Sequence, residues 1–254
     1  HIAFCLMVVP EHLNWHANMD EYTKAKSNLF THQTDQDYAI YFNENDISKK
    51  IAEAGKGKKL PFFKEPGAFV NNGYVEIEDT KVCKIEDIKL LGKHNWQNVC
   101  AAVTAVWQIT PDVDAIASVI KGFSGLEHRL EFVRELDNVK YYDDSFATTP
   151  ETSVAAIQAF EQPKVLILGG SDKGVPLDPI TYEVVKSNVR HVIAIGDMGP
   201  TIEKQLRDRG FTDISVGLTT MTDMINEARE HAKSGDVVLL STGCASFGLF
   251  KDYK

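Results

Sequence analysis

From residue 130 onward the sequence alternates between two kinds of segment. Five short runs, "VKYY", "KVLIL", "HVIAI", "DISV" and "DVVLL", are separated by stretches of helical composition at 150–160, 178–188, 201–208 and 220–233. Short runs rich in apolar and β-branched residues suit strands buried in a sheet, and parallel strands must be joined by crossovers long enough to hold a helix. The alternation therefore predicts βαβ units, an α/β fold whose mostly parallel sheet is covered by helices.

In sheets of this kind ligands gather outside the carboxyl ends of the strands. The polar clusters of the sequence fall there: "DDSFATT" follows "VKYY", "GGSDKG" follows "KVLIL", "GDMGP" follows "HVIAI" and "STGCASF" follows "DVVLL". One surface is expected to be rich in hydroxyls, amides and a lysine.

The first half is organised differently. "IAFCLMVV" reads as a strand buried on both faces, and "MDEYTKAKSNLF" at 19–30 as a helix. Between 37 and 91, β-rich pieces broken by Gly, Pro and Asn-Asn-Gly signals, with one helix near 45–53, read as a small, partly antiparallel section beside the main sheet. Two helical segments follow, "NWQNVCAAVTAVWQIT" and "DVDAIASVI", for which Asn95 and Asp112 or Asp114 are candidate caps. The composition changes at 121–127, which divides the chain into expected domains 1–122 and 123–254.

Composition excludes several classes. A net charge of -9 argues against a protein that coats nucleic acid, because phosphate binding draws on clustered Lys and Arg. No apolar run approaches the roughly 20 residues of a membrane span. The cysteines at 5, 83, 100 and 244 show neither CxxC pairs nor the density of a disulfide scaffold, so reduced thiols are expected.

Glycine-rich strand ends invite a nucleotide reading, which the residues restrict. "GGSDKG" has Ser171 where GxGxxG requires its second glycine, and neither "GKGKK" nor "LGKHN" completes GxxxxGK[ST]. Lys173 remains as a turn lysine that is either solvated or neutralises an anion. Thr149 before Pro150 reads as a helix N-cap followed by proline at the first helical position. One helix start needs only one cap, so Asp144, Ser145 and Thr148 point instead to anion or ribose binding at that N-terminus. His12 lies just past the first strand and Lys26 on the next helix; His16 and His32 read as packed or surface residues. Arg129 in "EHRLEF" is either a phosphate contact near the domain junction or a surface ion pair with Glu127 or Glu131.

Six segments, "PEHLNWH…EYTKAKSNLF", "GKHNWQNVCAAVTA", "GFSGLEHRLEFV", "YYDDSFATTPETSVAAI", "LILGGSDKG" and "LLSTGCASFGLFKDY", occur in an order and spacing that resembles the Mur ligase family over nearly the whole chain. The resemblance implies the latter part of a central ATPase domain followed by a Rossmann-like domain that admits an amino acid, with the phosphate loop and a UDP-binding domain upstream. It implies a cytoplasmic, monomeric ATP- and Mg²⁺-dependent ligase of peptidoglycan synthesis, adding D-glutamate to UDP-N-acetylmuramoyl-L-alanine through an acyl phosphate, with no nucleic-acid or membrane partner. Residue by residue, it implies His12 and carbamylated Lys26 as metal ligands, and His94, Asn95, Arg129 and Asp144 on the ATP side. Thr148, Lys173, Ser246, Phe247 and Tyr253 would hold the amino acid.

Phe146 departs from the pattern, standing where D-glutamate ligases of the family have lysine. A branch that adds L-glutamate resembles this stretch too. A folylpolyglutamate synthase would share the chemistry with another acceptor, and the isolated chain, without a phosphate loop, would serve only as a binding module.

Overall fold

The apolar opening forms β1 (Ile2–Cys5), and the next two strands, β2 (Tyr38–Phe42) and β3 (Lys58–Phe62), pair in parallel beside it in the order β1-β2-β3. The structure, a computed structural model, describes residues 1–10, 15–172 and 174–244. It divides into two compact units, His1–Ser124 and Gly125–Lys254.

In unit 1, strand alternation distributes side chains to two cores. Ala39 faces a cluster with Tyr22 and Phe30 of α1 (Met19–Thr31) and Ile51 of α2 (Asp46–Ala52), whereas Ile40 and Phe42 face a second cluster. That second cluster is built with an antiparallel sheet, β4 (Phe69–Asn71), β5 (Tyr74–Ile77) and β6 (Thr80–Lys84), and with α3 (Lys93–Trp107) and α4 (Val113–Gly122). The segment expected as one small section at 37–91 is thus split: its first two strands join β1, and only its last three are antiparallel. β1 is also shorter than the apolar run: Leu6 and Met7 lie beyond its end and are exposed, as is Phe4 within it.

Polar side chains fasten the strand ends. Asn45 caps α2 by accepting from Ser48 N (2.8 Å) and also exchanges two hydrogen bonds with the Val8 backbone. Ser48, fully buried, donates from Oγ to the Cys5 carbonyl (2.7 Å) and accepts from Phe42 N (3.0 Å). Asp112 caps α4 as expected. Asn95 does not cap α3: Gly92, with φ 87°, holds that position, and Asn95 Nδ2 donates back to the Leu91 carbonyl (2.7 Å).

Unit 2 is a six-stranded sheet in the order β11-β10-β9-β12-β8-β7. Its members are β7 (Glu131–Leu136), β8 (Val139–Asp143), β9 (Lys164–Gly169), β10 (Val189–Ile195), β11 (Ile214–Val216) and β12 (Val237–Leu240). All pairs are parallel except β7 with β8, a hairpin turning at Asp137 and Asn138, both at positive φ. The connecting helices are α5 (Pro150–Gln158), α6 (Asp178–Lys186), α7 (Gly199–Asp208) and α8 (Met221–His231). The chain steps outward from β8 to β11 and then returns to insert β12 between β8 and β9. With right-handed crossovers, α5, α6 and α7 cover one face and α8 the other, where Met224 and Ala228 pack on Val165, Ile167, Ile193 and Val238. No described helix is long and apolar enough to cross a membrane.

Candidate active site

Inserting β12 between β8 and β9 brings the loops after all three strands together. The segment after β12 runs into the "DDSFATT" loop: Gly243 N and Thr242 Oγ1 both donate to the Ala147 carbonyl (2.7 and 3.0 Å), and Gly169 N donates to the Thr242 carbonyl (2.9 Å). The double glycine after β9 has a steric cause. A Cβ on Gly169 would lie 2.2 Å from the Ile195 carbonyl oxygen, and one on Gly196 2.7 Å from that of Gly170, so glycine lets the ends of β9 and β10 close on each other.

Asp144 sits at the centre of this junction, 4% exposed. Its Oδ2 accepts from Ser241 Oγ (2.9 Å), which in turn accepts from Ser153 Oγ (2.8 Å) at the start of α5. Its Oδ1 accepts from Leu130 N (3.2 Å). Burial pushes the carboxyl up to about 6, against the lowering effect of those hydrogen bonds and of the Arg129 charge.

The "EHRLE" segment is a hook clamped onto this loop. His128 and Leu130 both have positive φ (62° and 45°), a conformation that costs free energy in residues other than glycine and persists only when surroundings hold it. The clamps are visible: His128 N donates to Glu131 Oε2 (2.8 Å), Phe146 N donates to the His128 carbonyl (3.2 Å), and His128 Nδ1 lies 2.8 Å from Asp143 Oδ2. The Asp143 hydrogen bond raises the His128 pKa. The exposed Arg129 between them lies with its guanidinium 5.8 Å from the centre of the Phe146 ring, and His128 packs on the same ring at 5.2 Å.

Thr149 caps α5 with Thr152 in a reciprocal capping box and Pro150 at the helix start. Thr148, just before it, lines a shallow pocket with Pro150 at the start of α5 and with Ser171, Asp172, Met198 and Gly243 from loops at the carboxyl ends of the strands. A larger groove of about 480 Å³ runs beside α8, but Val133, Leu136, Tyr142, Ile225 and Leu240 make it chiefly apolar. A polar cavity of about 490 Å³, lined by Asp137, Asn226, Arg229, Glu230 and Ser234, lies at the other end of the sheet, whereas Arg129, Asp144 and Thr148 are at the strand ends.

Of the residues expected from sequence, the structure brings Arg129, Asp144 and Thr148 into one neighbourhood of unit 2. In unit 1, Lys26 is exposed on α1 with Nζ 4.9 Å from the Tyr22 ring centre, and His94 and Asn95 occupy the first turn of α3. His12, Lys173, Ser246, Phe247 and Tyr253 lie outside the described residues. Sequence reasoning missed Ser241, which holds Asp144, and His128 with Asp143, which hold the hook. Cys5, Cys83, Cys100 and Cys244 are all buried, and burial pushes Cys100 up to about 12.

Two family descriptions match the chain, the Mur ligase middle domain over residues 1–106 and the Mur ligase glutamate ligase domain over residues 128–244. The chain belongs to the Mur ligase family. Among curated Mur ligases, the UDP-N-acetylmuramoylalanine–D-glutamate ligase of Clostridium tetani is 38% identical over 262 residues, spanning 100% of this chain and 57% of that protein. The corresponding ligase of Clostridium novyi is 35% identical, spanning 96% and 55%. This chain therefore covers little more than half the length of these relatives. Among solved Mur ligase structures, MurF from Acinetobacter baumannii superposes with a TM-score of 0.76 at 20% identity, covering 96% of this chain and 56% of that one. MurF from Thermotoga maritima, solved with ADP, superposes with a TM-score of 0.67 at 15% identity, covering 98% and 59%. At these identities the structural matches establish the Mur ligase fold alone.

Proposed function

We propose that the protein containing this chain is an ATP-dependent ligase that joins D-glutamate to UDP-N-acetylmuramoyl-L-alanine in peptidoglycan precursor synthesis. The observation that carries this reading is the clamped hook: a guanidinium braced on Phe146 beside the buried carboxylate of Asp144. Amide formation through an acyl phosphate needs alignment and charge neutralisation more than a protein nucleophile. The carboxylate of the nucleotide-linked substrate takes the γ-phosphoryl group and ADP departs. The glutamate amine then attacks the acyl carbon, and the tetrahedral intermediate collapses with loss of phosphate.

In this reading Arg129 neutralises phosphate oxygens, and Asp144, ionised at neutral pH, accepts from a ribose hydroxyl through lone pairs that its two existing partners leave over. His94 and Asn95 border the adenine. Thr148, at the positive end of α5, faces a carboxylate of the incoming glutamate, joined by Lys173, Ser246, Phe247 and Tyr253. Lys26 suits a metal-ligand role after carbamylation: it is exposed on α1 and forms no ion pair among the described residues. With His12 it would hold Mg²⁺, which when bound supplies charge neutralisation at the phosphates.

The names of the relatives at 34–38% identity favour D-glutamate. Phe146 favours a second reading, addition of L-glutamate. The fold likeness to a folylpolyglutamate synthase of Yersinia pestis, at 11% identity, carries nothing about the acceptor. The 254 residues contain no GxxxxGK[ST] loop, so turnover is proposed for the longer protein and ligand binding for this chain.

Phosphate release by the intact protein with ATP, Mg²⁺ and UDP-N-acetylmuramoyl-L-alanine, comparing D- with L-glutamate, tests the reading. Release with D-glutamate alone supports it; release with L-glutamate alone transfers the protein to the second reading, and release with neither refutes both. Lys26→Ala is expected to abolish that release without rescue by bicarbonate, and full activity would remove Lys26 from the site.

A further inference from the structure

We propose that unit 2 carries a site for a zinc-class divalent cation, formed by His191 of β10 with Glu227 and His231 of α8. It lies away from the strand-end loops, since His191 is in the amino-terminal half of β10 and His231 ends α8. Glu227 and His231 are four residues apart and share one helix face, and His191 projects from the same sheet face as Ile193 and Ile195, on which α8 packs.

The geometry is that of a ligand set. Glu227 Oε1 is 3.3 Å from His231 Nε2 and 3.8 Å from His191 Nε2, and one donor atom from each residue lies within 4.8 Å of the others. A tetrahedral cation with bonds of about 2.0–2.2 Å holds its ligands about 3.3–3.6 Å apart, so the donor separations are close to those of a ligand set. Both Nε2 atoms approach the shared carboxylate, but the imidazoles are stacked with centroids 3.6 Å apart and planes at 7°, and because their lone pairs lie in the ring planes the more exposed His231 ring must turn out of the stack to share a cation with His191.

The hydrogen bonding leaves the site available. Ser215 Oγ makes a short contact with Glu227 Oε1, and since a carboxylate only accepts, the serine proton is committed there. His191 Nε2, 3.0 Å from the same Oγ, therefore donates, and Nδ1 is a buried atom with no partner. Cation binding moves the His191 proton from Nε2 to Nδ1, and Nε2 exchanges its serine acceptor for the metal. Ser215 continues to orient Glu227, the supporting role that an outer hydrogen bond has at metal centres. His231, with 37% of its side chain exposed, provides the entry route and leaves a fourth position for water. Two imidazoles and one carboxylate suit Zn²⁺, Co²⁺ or Ni²⁺ and not Mg²⁺, which requires near-octahedral oxygen ligation.

The test is calorimetric titration of the chelator-treated 254-residue chain with ZnCl₂, CoCl₂ and MgCl₂, together with His231→Ala and Glu227→Gln. One equivalent of Zn²⁺ is expected, with Co²⁺ giving the visible bands of a tetrahedral nitrogen-oxygen site and Mg²⁺ no heat. Both variants should bind Zn²⁺ at least tenfold more weakly while keeping the metal-free circular dichroism of the parent. Absence of Zn²⁺ uptake overturns the proposal, and so does Zn²⁺ binding that both variants retain, because the cation would then sit elsewhere.

Discussion

Asp144→Asn is expected to change the stability of unit 2 by an amount that rises with pH. The folded protein holds the Asp144 carboxyl near 6, above the ordinary 3.8, because burial disfavours its charge more than Ser241, Leu130 and Arg129 favour it. A group whose folded pKa is raised contributes stability below its unfolded pKa and loses it as pH rises through the folded pKa. The window here runs from about 4 to about 6. At about 1.4 kcal/mol per pH unit, ionisation of Asp144 costs the folded state about 3 kcal/mol by pH 7. Asparagine has no charge to bury, but its amide leaves one of the two donors now bonded to the carboxylate poorly matched, a pH-independent cost of about 1 kcal/mol. The difference in unfolding free energy, variant minus parent, should thus be slightly negative at pH 4 and rise by about 2.4 kcal/mol by pH 7. Urea unfolding followed by far-ultraviolet circular dichroism measures it, and taking the difference cancels the titrating groups that do not interact with Asp144. The three tryptophans, at 15, 96 and 107, all lie in unit 1, so their fluorescence reports that unit separately. A difference that does not change between pH 4 and pH 7 refutes the reasoning.

Phe146→Ala removes the ring that braces Arg129, an interaction of about 0.5–1 kcal/mol at an exposed site. In the intact protein the KM for ATP should rise about threefold with kcat little changed, and an unaltered KM would detach the ring from nucleotide binding. Ser48→Ala leaves the Phe42 N–H and Cys5 carbonyl without their buried partner, so a loss of about 1–3 kcal/mol is expected in tryptophan-monitored unfolding. Gly169→Ala places a methyl 2.2 Å from the Ile195 carbonyl oxygen at φ 124°, and unit 2 should lose its cooperative circular dichroism transition. A variant that melts within a few degrees of the parent would show that β9 and β10 can separate there.

The local chemistry of the chain was legible wherever one segment carries its own reason for its shape. Alternating apolar runs and helical stretches imply a parallel sheet because strands buried on both faces need such runs and parallel connections need crossovers. Thr149 with Pro150 marks the start of α5, and Asp112 that of α4, because a cap acts within one turn. β7 escaped detection: "EFVREL" is a mostly exposed edge strand whose apolar residues follow no period of two, although Asp137-Asn138 before "VKYY" was a usable hairpin signal. Asn95 was misread because its side chain bonds backward to Leu91 and Gly92 supplies the left-handed position.

The α/β class, the starts of α4 and α5 and the placing of polar clusters at strand ends are written in the residues themselves, since hydrophobic period, capping and turn chemistry act over a few residues. The folded chain alone reveals that Ser241 bonds Asp144 across 97 positions of sequence, that "EHRLE" folds onto "DDSF" with Arg129 against Phe146, and that His191 meets Glu227 and His231. The physical reason is the order of the sheet. β12 pairs with both β8 and β9 although about 70 residues or more separate it from each, and no short-range preference within any one segment carries that information.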